Sequence, residues 1–336
     1  MADSRRIPDL TRSAAMSPLC FLYFALPSLA AYITISIFFL RRPRLLHTPH
    51  SPAFRGRLTA HRGGSGEMLE STMAAIENSV AQKADLLELD CHLTRDGVVV
   101  VSHDKNLKRQ SGLNKDISSL DFQDLPLYKK KLEIYFSPGR FACGSDRHMI
   151  RLEDVFQRFP QLPAIVEIKE KNEELIHKVA SLAKRFHRSQ ITIWASEKSS
   201  IMKKCKAANP DMPISFTTNR ALWMVLLYHL GLLPFVSFPE QFFFCFLPTI
   251  VNRTYFPFSC SRLNKLYAVV TKWLIMRKSL IRHLEARGVQ VIFWCLNEES
   301  DFEAASGLGA TGIITDFPTA LRCYLDNQQT SSSPWV

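Results

Sequence analysis

Apolar segments of strand length alternate with stretches of helix length from Leu58 to Leu325, and this alternation restricts the chain to parallel βαβ units. Strands are predicted at Leu58–His61, Asp85–Leu93, Val98–His103, Ala164–Lys169, Ile191–Ala195, Ile214–Thr217, Val289–Leu296 and Gly312–Thr315. Helices are predicted at Glu70–Lys83, Leu152–Phe159, Glu173–Phe186, Lys198–Ala208, Trp273–Arg287, Glu298–Ser306 and Pro318–Leu325. At least seven units emerge, with an unclear stretch around residues 218–260. An α/β fold of the (β/α)8 TIM-barrel type fits this count and the 336-residue length. An open doubly wound sheet is the second choice. No GxGxxG follows an early strand, which disfavours its dinucleotide-binding version.

Two regions break the alternation. Lys105–Met149 is charged and carries Gly112, Pro126, Pro138, Gly139 and Gly144. It reads as an insertion, residues 105–150, between the second strand and its helix, and loops of that length in compact domains serve as lids or binding loops. Ala221–Val251 holds one acid, Glu240, and one histidine, His229, and is interrupted by Pro234, Pro239 and Pro248. It makes a poor single spanning helix. It reads either as barrel core or as a helix and an apolar surface loop in contact with membrane or lipid.

The N-terminus carries Met16–Leu40, 25 residues without a charge. That is enough to span a hydrocarbon core of about 30 Å. The apolar core of a signal peptide is shorter, about 7–15 residues, and this run passes directly into Arg41-Arg42-Pro43-Arg44. The reading is an uncleaved transmembrane anchor in residues 1–45, in preference to a signal peptide cut near Ala30-Ala31 or a buried helix. Arg5, Arg6 and Arg12 precede the run, and Arg41, Arg42 and Arg44 follow it, so the positive-inside rule assigns no orientation. Residues 46–57, with Pro49, Pro52 and Gly56, read as a linker, 58–326 as the barrel and 327–336 as a tail.

Hydrophobic residues make up 46% of the chain and charged residues 22%, which supports a core and argues against extensive disorder. A net charge of +11 suits an anionic membrane, nucleic acid or a phosphate-bearing substrate. Arginines beside the apolar run favour the membrane, Lys129–Lys131 reads as a solvated loop, and no basic-aromatic surface for nucleic acid is found. The eight cysteines form no CxxC and no Cys/His cluster at zinc spacing, which argues against a structural zinc. They leave the redox compartment undecided, and the sequence specifies no oligomeric state.

Catalytic groups of such a barrel project from the C-terminal ends of its strands. His61-Arg62 ends the first strand, Glu88 and Asp90 the second, His103-Asp104 the following segment, and Glu167 and Lys169 the segment AIVEIK. Glu88 and Asp90 share a strand face, because side chains alternate. Adjacent buried carboxylates repel, and a cation resolves the repulsion. With Glu167 they make a three-carboxylate oxygen site suited to one divalent cation, Ca2+ or Mg2+. His61 and His103 are candidates for general acid and base, and Arg62 and Lys169 for binding a substrate phosphate. Glu70 is either a supporting acid beside this group or an acid at a helix N-terminus, and the former is preferred. Trp294 is either core or a substrate wall. Asp316 serves equally as an N-cap or a site residue, and His92 is placed past its strand end, in a loop.

HRGG at His61–Gly64, ELDCHLTRDGVVVVSHD at Glu88–Asp104, EIK at Glu167–Lys169 and GIITDFP at Gly312–Pro318 closely resemble the glycerophosphodiester phosphodiesterase family, over about Leu58–Leu325. The resemblance implies a TIM barrel with an insertion after the second strand. It implies a divalent ion held by Glu88, Asp90 and Glu167, with acid/base roles for His61 and His103. An N-terminal anchor with an apolar segment in the second half is similar to the membrane-bound branch of that family, which acts as a lysophospholipase D. That branch implies lysophospholipid substrates at a bilayer and residence in endoplasmic reticulum or perinuclear membranes, the side unspecified. Hydrolysis of water-soluble glycerophosphodiesters to glycerol 3-phosphate, and a non-catalytic membrane scaffold, are the alternatives. The chain departs from the family's pattern at Ser71, where Asn is common, and at Cys91, where Val is common. Neither departure touches a proposed ligand or acid/base residue.

Overall fold

A computed structural model of the chain describes residues 18–331, apart from residues 255, 256, 258 and 259. Met16 and Ser17 of the apolar run, Arg5, Arg6 and Arg12 before it, and residues 332–336 of the tail lie outside the described residues. The strands are β1 (Leu58–Ala60), β2 (Leu86–Leu93), β3 (Val99–Val101), β4 (Lys131–Glu133), β5 (Phe141–Cys143), β6 (Ile150–Arg151), β7 (Ala164–Glu167), β8 (Thr192–Ala195), β9 (Phe242–Phe246), β10 (Gln290–Trp294) and β11 (Gly312–Thr315). Seven of them run parallel in the order β9-β10-β11-β1-β2-β7-β8. Single parallel bridges from Trp194 to Ile214 and from Ser215 to Phe242 close the ring, so Ile214–Ser215 stands as the eighth strand. The fold is a closed (β/α)8 barrel, and the open doubly wound sheet is excluded.

Strand alternation separates two cores. Leu87, Leu89 and Cys91 of β2 face outward and pack with Ala164 and Val166 of β7 against the helical ring. Leu86, Ile165, Ile193, Phe242, Ile292 and Ile314 point inward and form an apolar plug. Two residues further along the same strands stand Glu88, Glu167, Trp294 and Asp316, so the layer above the plug is the site layer.

The helices are α1 (Pro18–Arg41), α2 (Met73–Ala81), α3 (Leu152–Arg158), α4 (Glu173–Arg185), α5 (Ser199–Ala208), α6 (Thr218–His229), α7 (Ser261–Leu274), α8 (Lys278–Ala286), α9 (Glu299–Leu308) and α10 (Pro318–Ser331). Helix α2 starts at Met73 rather than Glu70, because the Thr72 hydroxyl accepts the Ala75 N–H and caps it there. The helix expected over Trp273–Arg287 is two helices, α7 and α8. The chain leaves the helical conformation at Arg277, whose extended backbone opens α8. The strand expected over Val98–His103 is β3 alone, antiparallel to β2 and outside the barrel ring. A strand not anticipated, β9, lies within Ala221–Val251. Its sequence FFFCF shows no polar alternation because both faces are covered.

The insertion folds over the barrel mouth with the β4–β5 hairpin and a small core of its own, including Leu107, Ile117, Tyr128 and Leu132. At the N-terminus, α1 has the length and composition of a membrane-spanning segment over Leu22–Arg41, and nearly all of it is exposed. Its second half packs on the barrel. Ser36 Oγ donates to the Gly231 carbonyl at 2.7 Å, the Tyr32 hydroxyl donates to the Leu230 carbonyl, and His283 Nδ1 bonds the Leu40 carbonyl at 2.9 Å.

Candidate active site

The turn after β1 is tightly curled. Arg62, Gly63 and Gly64 all take positive φ, +48°, +77° and +100°. Glycine tolerates this conformation and arginine pays a steric cost, of a kind found at sites where geometry is over-determined. The curl brings the Arg62 N–H to Glu88 Oε2 at 2.9 Å, locking the first two strand ends together. Ser71 is the next left-handed residue, at φ +57°, and its N–H returns to the Arg62 carbonyl at 2.8 Å. Asn enters that conformation more readily than Ser, which explains why Asn suits this position.

Glu88, Asp90 and Glu167 converge, each offering a carboxylate oxygen within 4.8 Å of the others. Parallel pairing sets Asp90 beside Glu167 across β2 and β7. Burial, reinforced by the Asp90 charge, pushes the Glu88 carboxyl up and Glu167 up to about 8. Asp90 is different. Burial opposes its ionisation, but Lys169, with Nζ 2.6 Å from Oδ1, and also His103 and Arg62 hold it well below the usual carboxylate range. Among the described residues, Asp90 Oδ2 accepts no hydrogen bond and Arg62 Nε donates none, although both are buried and lie 3.9 Å apart. A cation on the three carboxylates and an anionic oxygen against Arg62 would satisfy both atoms. The donor set, all oxygen, therefore fits a hard divalent ion.

Two imidazoles flank this cluster, each fixed by a carboxylate at Nδ1. His61 Nδ1 bonds Asp316 Oδ1 at 2.5 Å, and His103 Nδ1 bonds Asp104 Oδ1 at 2.6 Å. In both rings the Nδ1 contact leaves Nε2 available, and for His61 it lies 3.9 Å from Glu88 Oε2. Burial lowers the His103 imidazole, so it is readily neutral near pH 7. Burial works against the Asp104 anion, yet hydrogen bonds from His103 and Arg109 keep it well below the ordinary range. His61, Cys295 and Asp316 also meet closely. They form a hydrogen-bond network, since Asp316 is already engaged by His61, Ser65 and Asn297.

Every residue expected at the strand ends stands at this mouth, with refinements. Lys169 turns onto Asp90, and Arg62 Nη1 onto Glu70 at 3.2 Å. Glu70 precedes α2 and is buried beneath Arg62, Arg109 Nη2 (2.5 Å) and Gln110 Nε2 (2.7 Å). Trp294 packs edge-on against Phe136 of the insertion, which in turn packs on His61. Asp316 is not an N-cap: it is a buried partner of His61, and Phe317 precedes α10 with its carbonyl accepting the Leu321 N–H. His92 lies within β2 rather than past it, buried, with Nδ1 3.4 Å from Glu170. Arg109, Gln110, Asn297 and Cys295 were not anticipated. None belongs to a motif, and only the folded insertion and the β10–β11 edge bring them in. A cavity of about 200 Å3 lies between the insertion and the end of β10, lined by Phe136, Arg140, Arg253, Cys295, Asn297 and Asp301 among others.

A family model described as the glycerophosphoryl diester phosphodiesterase family matches residues 61–320. The chain belongs to this family. As a glycerophosphodiester phosphodiesterase it is an enzyme, a phosphoric diester hydrolase of a metal-dependent family, and the carboxylate trio is the donor set available for the ion. It is 71% identical over 93% of its length to lysophospholipase D GDPD3 of Mus musculus, covering 95% of that protein. It is 74% identical over 91% of its length to lysophospholipase D GDPD3 of Homo sapiens, covering 96% of it. The fold is shared with the glycerophosphoryl diester phosphodiesterase domain of an uncharacterized Mycobacterium tuberculosis protein, with TM-score 0.60 and 16% identity, covering 81% of this chain and 99% of that one.

Proposed function

We propose that this phosphodiesterase is a lysophospholipase D that acts at a membrane, releasing lysophosphatidic acid and a free head-group alcohol. The observation that carries the chemistry is the pair of imidazoles, each oriented through Nδ1 by a carboxylate, on either side of the three acids. Substrate class rests on the high identity to the two lysophospholipases D. The apolar helix α1 and the exposed part of Ala221–Val251 support a membrane location; endoplasmic reticulum or perinuclear membranes are what the resemblance to the membrane-bound branch implies.

Glu88, Asp90 and Glu167 would hold the ion, Ca2+ or Mg2+, which when bound would supply Lewis-acid neutralisation of the phosphodiester charge. Arg62 Nε, unpaired and facing the same space, binds a phosphate oxygen. Lys169 keeps Asp90 ionised and adds positive charge beside the phosphate. One histidine takes the proton of the nucleophile, either water or the substrate's own glycerol hydroxyl, and the other protonates the departing alcohol; attack by the hydroxyl leaves a cyclic phosphate, which water, giving its proton to the second histidine, then opens to lysophosphatidic acid. Asp316 and Asp104 hold each ring in the tautomer with Nε2 facing the reaction. Trp294 and Phe136 form an apolar wall beside His61.

The test is product analysis with purified full-length protein and head-group-labelled lysophosphatidylcholine, EDTA, then Ca2+ or Mg2+ add-back. Labelled choline with lysophosphatidic acid, lost with EDTA and restored by one ion, is the expected result. Turnover of glycerophosphocholine alone would move the assignment to water-soluble diesters, and no turnover of either would make the chain a scaffold.

A further inference from the structure

Helix α7 carries an apolar stripe that the barrel does not cover. Leu263, Leu266, Val270 and Trp273 recur at spacings of three and four, and Leu266 and Trp273 are each more than 60% exposed. Lys265 and Lys272 line one border of this stripe. The opposite face of α7 packs inward through Asn264, Tyr267 and Thr271.

The stripe continues onto α6. His229 stacks on Trp273 with ring centroids 5.6 Å apart, and its Nε2 bonds the Leu274 carbonyl at 2.9 Å. Leu222, Trp223 and Leu226 of α6, and Leu230 just past its end, are exposed. From Leu230 the surface meets α1, through the Tyr32 and Ser36 hydroxyls and through Phe39 packed on Phe235 at 5.9 Å. Tyr32 to Leu40 covers about 12 Å of helix. A spanning helix held laterally along that length carries the end of α6 to the depth of the interface or below.

Charge supports the same placement. From Gln241 to Leu284 there is no Asp or Glu; Arg253 is paired with Asp301 from outside this stretch, while Arg262, Lys265, Lys272, Arg277, Lys278 and Arg282 are all basic. An apolar stripe edged by lysine and tryptophan, without compensating acids, is complementary to an anionic lipid surface. Behind the stripe, an aromatic row runs from the inward face of α7 to the site: Tyr267 stacks on Phe246 (5.4 Å), and Phe246 packs on Trp294 (5.9 Å), the tryptophan of the site wall.

We infer that the α6–α7 face lies in the membrane interface beside α1, so that the barrel rests sideways on the bilayer. This rests on the reading of α1 as an anchor and of the substrate as a lysophospholipid. The test uses full-length protein in phosphatidylcholine–phosphatidylserine vesicles whose phosphatidylcholine carries bromine on an acyl chain, which quenches indole on contact. A Trp223→Phe/Trp273→Phe chain should lose most of the bromine-sensitive emission that the unaltered chain shows. Equal quenching of the two chains overturns the inference. Unquenched tryptophans with a cross-linked dimer give the face to a second copy instead, and overturn it as well. In a second arm, Leu266→Glu/Val270→Glu should lower turnover of vesicle-borne lysophosphatidylcholine about tenfold, as expected for placing carboxylates in an apolar layer. Turnover of a monomeric short-chain lysophosphatidylcholine should stay unchanged. An equal loss on both overturns the inference. If the unaltered chain turns over neither lipid, the substrate reading fails, while the quenching arm still decides the docking face.

Discussion

His61 Nδ1 and Asp316 Oδ1 are 2.5 Å apart across 255 residues of sequence, and the contact exists because β11 pairs with β1 to close the barrel. Burial disfavours the Asp316 anion, but His61, Ser65 and Asn297 hold its carboxyl well below the ordinary range. It therefore remains an acceptor that fixes hydrogen on Nδ1 and frees Nε2. Asp316→Asn keeps the volume but can present N–H to Nδ1, favouring the wrong tautomer. We expect kcat/KM to fall about 100-fold or more with little change in melting temperature. Full turnover would remove His61 from the acid/base pair.

Arg109 is the insertion's contribution. Its Nε bonds Asp104 Oδ2 at 2.7 Å and its Nη2 bonds Glu70 Oε1 at 2.5 Å, so it balances the carboxylate that orients His103. In Arg109→Met, Asp104 faces His103 without that counter-charge. The imidazolium gains stability, and the pH–rate limb belonging to His103 should move upward, with kcat down about tenfold. Arg109→Lys should recover part of both. A loss of rate without a shifted limb would make Arg109 purely structural.

The division between what could and could not be read from sequence is physical. Glu88 and Asp90 stand out because strand alternation makes two acids in an apolar run conspicuous, and His61, His103 and Glu167 each end a recognisable strand. Asp316 also ends a strand, but a single acid before a helix fits a cap equally well, and only barrel closure separates the two. Arg109 and Gln110 sit in a segment without periodicity, so nothing local ties them to Glu70. Strand β9 was hidden for the opposite reason: FFFCF is apolar throughout, and its proline-bounded surroundings read equally as barrel core or as a helix and an apolar surface loop. In the structure Leu222, Trp223 and Leu226 are exposed while Phe242 and Phe243 are core, so the segment supplies both surface and barrel.

Ion binding should release protons. With the ion removed, burial and the Asp90 charge leave Glu167 titrating at about 8 and Glu88 raised, so the trio holds protons at neutral pH. Cations compete with those protons, and affinity should strengthen as pH rises from about 6 toward about 8. Calorimetry in two buffers of different ionisation enthalpy should show about one proton released per ion at pH 7. Affinity that does not change with pH would mean that the ion binds elsewhere. Glu167→Gln should weaken binding and flatten the dependence together.

Glu70 gives the acid limit of the fold around the site. Burial alone would raise its carboxyl, but Arg62, Arg109 and the Gln110 amide bring it down to about 2. A folded-state value below the unfolded value of about 4.3 means that its stabilisation is fully present above that pH and is lost as pH falls toward about 2. Glu70→Gln should therefore cost about 3 kcal/mol at pH 7, leaving the buried Arg62 and the half-buried Arg109 guanidinium groups under-compensated. Thermal melts should show a gap of several degrees between the two chains at pH 7. The gap should narrow steadily below about pH 4. A gap that is constant across this range would assign the loss to packing rather than charge.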